Sequence, residues 1–91
     1  MQGILSLYDI DVRVLFDTGS THSFIASHVV SLIPIDGTPL PYYLSVVTPG
    51  GVALLAGEVL RDCDIRVCNK GYPGDLIILD ISDFDLILNM D

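Results

Sequence analysis

The run Val14-Leu15-Phe16-Asp17-Thr18-Gly19-Ser20 constrains this chain more than any other feature. An apolar stretch of strand length stops abruptly at a carboxylate and passes into small, turn-forming residues. A carboxylate just past a buried strand is held stiffly and partly away from water, which suits acid–base work. The same four residues are also ordinary turn composition, so the string alone leaves both readings open. It occurs once in 91 residues.

The rest of the chain reads mostly as strand. Gly3 to Tyr8 and Val12 to Phe16 flank Asp9-Ile10-Asp11 as a hairpin. Ser23 to Ile33 is the expected helix, with Ile25, Val29 and Leu32 at i, i+4 and i+7 and Pro34 closing it. Asp36 to Pro41 has loop chemistry. Tyr42 to Val47 and Val52 to Leu60 then flank Thr48-Pro49-Gly50-Gly51, where Pro presets φ and Gly is free to take a positive one. Cys63 to Cys68 and Asp75 to Leu79 follow, separated by residues 69–74, and Phe84 to Leu88 is the last strand. With no repeat and no linker, residues 1–91 are expected to form one small, mainly antiparallel β domain.

Charge restricts the partners. Twelve carboxylates against Arg13, Arg61, Arg66 and Lys70 give −8, which argues against nucleic acid or an anionic membrane. No stretch resembles a targeting or membrane-spanning element. Cys63 and Cys68 lie five apart in an expected strand, so they point to opposite faces and read as ordinary thiols of an intracellular, reducing setting. The pairs Asp9/Asp11 and Asp62/Asp64 lack the spaced Gly and Glu of a calcium loop and read as solvated turn carboxylates. No metal and no cofactor are expected.

Three blocks in order give a sharper reading. The string from Val14 to Ile25, the turn Val47-Thr48-Pro49-Gly50-Gly51 with Arg61-Asp62-Cys63 after it, and Phe84-Asp85-Leu86-Ile87-Leu88 together resemble retropepsin-like aspartic proteases. The likeness is strongest to those of plant Ty3/gypsy-type retrotransposon polyproteins, and it covers nearly the whole chain. It implies the retropepsin fold, a closed antiparallel β-barrel with a flap hairpin and one or two short helices. It also implies a cytoplasmic homodimer, part of a larger polyprotein, that cuts extended polypeptide.

In that resemblance each subunit gives one Asp17, Thr18 reaches the partner's backbone, Gly19 lets the two loops approach and Ser20 donates to the carboxylate. Thr48, Pro49, Gly50 and Gly51 form a lid over the substrate, and Leu15 and Ile87 wall the cleft. His22 either lines a subsite or sits on the surface at a helix start, and His28 is expected to be partly buried in the helix. Two departures stand out. Asn89 occupies a position where the family usually has Gly, and with the sequence ending at Asp91 the family's C-terminal tail is expected to be absent. The alternative reading is a catalytically inactive peptide-binding or dimerisation module of the same fold.

Overall fold

The computed structural model describes residues 2–17, 22–47, 51–67 and 70–89. They form seven strands and one short helix: β1 (Gln2–Leu7), β2 (Ile10–Asp17), β3 (Ser23–Ala26), α1 (Ser27–Val30), β4 (Thr38–Val47), β5 (Ala53–Val67), β6 (Lys70–Leu79) and β7 (Leu86–Asn89). All seven strands share one sheet in the order β1-β2-β7-β3-β6-β5-β4. The expected mainly β, barrel-like fold is therefore what the chain adopts. The sheet is curled rather than closed, with β1 approaching β5. It is also mixed, because β2 and β7, and β3 and β6, run parallel.

Period-2 burial explains why the middle strands are continuously apolar. On β7, Leu86 and Leu88 belong to one core cluster and Ile87 to a second. Ile25 and Phe24 divide the same way on β3, and Leu76 and Ile77 on β6. Each face of the sheet thus carries its own core, and a central strand has no polar face to show. Strand β2, next to the edge strand β1, keeps the alternation, with Val12 and Val14 buried and Asp11 and Arg13 exposed.

The β1–β2 hairpin closes one residue earlier than expected. Leu7 pairs with Ile10, leaving Tyr8 and Asp9 as a two-residue turn with φ of 49° and 64°. Two positive φ values are the geometry that matches the twist of a hairpin and favours Asn-Gly. A left-handed conformation costs an ordinary residue about 1–2 kcal/mol. The double change Tyr8→Asn with Asp9→Gly should therefore raise the melting temperature by about 4–8 °C, read from a thermal unfolding curve.

The helix expected from Ser23 to Ile33 is overturned. Ser23–Ala26 is strand β3, and the helix keeps only the four residues Ser27–Val30. Phe24, Ile25 and Ala26 are wedged between β7 and β6, so ladder bonds on both sides outweigh a modest helical spacing that already contained the β-branched Ile25, Val29 and Val30. Leu32, assigned to the helix's apolar face, is 62% exposed.

Other boundaries move outward. The two strands expected on either side of Arg61-Asp62 are one strand, β5, and the register shift between Leu60 and Cys63 is a bulge that bends it. The loop expected at residues 69–74 gives way to β6 from Lys70 onward, because β5 beyond the bulge supplies a partner. Pro73 falls before Leu76, where the pairing of β3 with β6 begins among the described residues. Likewise β4 takes in Pro39 and Pro41 as an edge strand, with an irregularity before Leu44. The last strand starts at Leu86 rather than Phe84. Cys68 lies outside the described residues, and with it the expected orientation of the cysteine pair.

Candidate active site

Asp17 is the last residue of β2, and it pairs in register with Asn89, the last residue of β7. The sequence places it there because the apolar alternation of β2 ends with Phe16, after which nothing remains to bury. Thr18, Gly19 and Ser20 follow outside the described residues. Leu15, two residues back, is half-buried and faces Ile87 across the parallel pair.

Ile87 itself is 2% exposed and sits in the second core cluster with Phe24 and Val59. Leu15 packs against the same cluster. His22 is exposed, with its ring centroid 6.3 Å from that of Phe24 and tilted by 56°. It precedes a strand, not a helix.

At the expected lid β4 and β5 pair antiparallel, with Val47 opposite Ala53. Thr48, Pro49 and Gly50 fall outside the described residues. Gly51 is exposed with φ of +83°, the left-handed conformation that the Pro-Gly-Gly composition anticipated. One face of the hairpin is buried through Val46 and Ala56, while Val47, Val52 and Leu55 stay exposed.

Asn89, expected to stand in place of a Gly, carries no left-handed strain. Tyr8 and Asp9 are the non-glycine residues with positive φ among those described, so Asn89 continues β7 as extended chain. Its amide donates to Ser23 Oγ at 3.0 Å, tying the tip of β7 to the start of β3.

One cluster was not anticipated. Asp85, just before β7, accepts from the Arg13 amide through Oδ2 at 2.8 Å and meets His28 Nε2 through Oδ1 at 2.8 Å. Its own amide donates to the Arg13 carbonyl at 3.1 Å, and its carbonyl accepts from the Ala26 amide at 2.9 Å. Partial burial pushes this carboxyl up. The hydrogen bonds from the Arg13 amide and His28, with the charges of His28 and Arg13, outweigh it and hold Asp85 below the ordinary carboxylate value. His28, expected to be partly buried, is exposed and turned to Asp85. Among the described residues, no three His, Cys, Asp or Glu side chains converge to hold a metal ion.

The whole of residues 1–91 matches the family described as retroviral aspartyl protease. The chain belongs to that family. Asp17, at the end of β2, lies within the matched residues. Among solved structures, the chain is similar to "EIAV protease complexed with the inhibitor HBY-793", with a TM-score of 0.72 and 17% sequence identity. That alignment covers 97% of this chain and 79% of the other, and at such identity it speaks to the fold alone. No curated protein matches the sequence.

Proposed function

We propose that the chain is a homodimeric aspartic endopeptidase that processes the polyprotein of a Ty3/gypsy-type retrotransposon in the cytoplasm of a plant cell. The observation that carries this reading is the family match over residues 1–91, with Asp17 ending β2 and Thr18-Gly19-Ser20 next in sequence. One protomer supplies one carboxylate, so two must meet.

Two facing carboxylates cannot both ionise comfortably, and they share a proton. The charged one takes a proton from a bound water, whose oxygen attacks the peptide carbon. The protonated one polarises the carbonyl oxygen. The leaving amine then takes a proton from the pair as the carbon–nitrogen bond breaks, and the titration belongs to the pair. Thr18 braces the partner's loop, Gly19 permits the approach, and Ser20 donates to the ionised oxygen. Substrate lies as an added strand of about six to eight residues under the lid of Thr48, Pro49, Gly50 and Gly51, beside Leu15 and His22 and above Ile87.

Dimerisation gives this reading its test. With a charge of −8, two chains repel at neutral pH, and acid or salt weakens that repulsion. Cleavage of a peptide library at about pH 4–6 should rise more steeply than linearly with protein concentration, in step with the dimer fraction seen by sedimentation. Activity per chain that stays constant into a fully monomeric population would defeat it. A dimer that binds such peptides and cuts none would instead mark an inactive peptide-binding module.

A further inference from the structure

We propose that Asp85 is a positioning residue for Asp17, fixing the register in which β7 enters the sheet and so the residue that stands beside the catalytic strand end. The proposal rests on the protease reading for its consequence, but its structural content is independent of it.

A parallel neighbour has no tight turn to set its register, unlike the strands of a hairpin. Hydrophobic patterning does not set it here either. The core of β7 is Leu86-Ile87-Leu88, buried on both faces, so a slip of one residue would still place an aliphatic side chain in each core. Polar anchors must choose.

Asp85 is that anchor at the root. Its carboxylate and backbone hold Arg13 on β2 from both sides, its carbonyl holds Ala26 at the end of β3, and its second oxygen holds His28 on α1. The first pair of the ladder, Val14 with Leu86, follows immediately, and three residues on it sets Asp17 beside Asn89. The Asn89 amide to Ser23 Oγ bond pins the tip.

The neighbourhood reinforces the root. The Arg13 guanidinium donates to the Asp83 carbonyl and lies 5.9 Å from the Phe84 ring centroid. Ser27 Oγ donates to Asp80 Oδ1 at 3.3 Å, holding α1 to the same segment. Among the described residues, Arg13, His28, Asp80 and Asp83 are the charged or titratable groups in this neighbourhood.

Amide hydrogen exchange followed by NMR, together with peptide kinetics, tests the assignment. In Asp85→Ala, amides of 86–89 should exchange about tenfold faster, with the β4–β5 hairpin unchanged. Its kcat should fall about tenfold to a hundredfold, with KM within about twofold, because a loosened register misplaces the reacting carboxylate. Asp85→Asn keeps an acceptor for the Arg13 amide but loses the charge facing His28, so it should show a smaller acceleration at pH 5. That difference from the wild type should persist at about pH 4 and close only below it, as wild-type Asp85 takes up its proton.

Wild-type exchange at 86–89 in a folded Asp85→Ala would overturn the proposal. Should that variant fail to fold, Asp85→Asn decides, and exchange equal to wild type at pH 5 overturns it as well. A wild-type chain that cuts no peptide would defeat the protease reading, while the exchange pattern would still decide the role of Asp85.

Discussion

Asp17→Asn is expected to lower kcat for peptide cleavage by about 10³-fold or more while the protein remains folded and dimeric. The carboxamide has nearly the volume of the carboxyl, and the β2 backbone keeps its pairing with Asn89. What disappears is the proton traffic. An amide can neither take a proton from water nor return one to the leaving amine. In the proposed dimer the substitution also removes a repulsion between two facing carboxylates, so the melting temperature should hold or rise.

Mixing sharpens this result. In the proposed dimer each protomer gives one Asp17, so every D17N chain that captures a wild-type chain should silence it. Adding D17N protein to a fixed amount of wild type should therefore first suppress activity and then nearly abolish it, following the binomial fraction of unmixed dimers. A measured activity that ignores the added variant would show that one chain suffices, and the half-site mechanism would fail. Residual cleavage in pure D17N within about tenfold of wild type would remove Asp17 from the chemistry.

How much of this was legible in the sequence depends on how local each cause is. The β2 alternation of Val12, Val14 and the exposed Arg13 is written in neighbouring residues, and so is the strand end at Asp17. The Pro49-Gly50-Gly51 composition also announced its turn, and Gly51 carries the positive φ. Where the cause lay elsewhere in the chain, reading failed. Ile25, Val29 and Leu32 have a helical spacing, but Phe24, Ile25 and Ala26 are claimed by β6 and β7, about 50 and 60 residues away. Pro73 reads as a loop until it is known that Asp64 on β5 pairs with it.

The Asp85 cluster was illegible for the same reason. A single acid at the start of Leu86-Ile87-Leu88 looks like a solvated residue at a strand's edge. Its partners are Arg13, Ala26 and His28, separated from it by 57 residues or more. The one available signal was the lack of polar alternation in the run itself. A strand that is apolar on both faces needs something else to choose its register.

Leu86→Ala carries the largest expected loss of stability. The side chain is 0% exposed and lies in the first core cluster with Val14 and Ile25, its register partners on β2 and β3. Truncation there removes the transfer free energy of a buried isobutyl group and leaves a void between strands held on both sides, which cannot collapse freely. Such sites cost about 3–5 kcal/mol. A domain of 91 residues has only about 5–10 kcal/mol of stability in all. The melting temperature should drop by about 15 °C or more, against a change of no more than a few degrees for Leu55→Ala, whose side chain is 72% exposed on the hairpin. The two leucines have the same chemistry, so the contrast isolates burial. It also separates stability from register: Leu86→Ala weakens the core but leaves the Asp85 anchors in place. Below its lowered midpoint, Leu86→Ala should retain more kcat than Asp85→Ala. The opposite order would mean that core packing, rather than the polar root of β7, sets Asp17 in place.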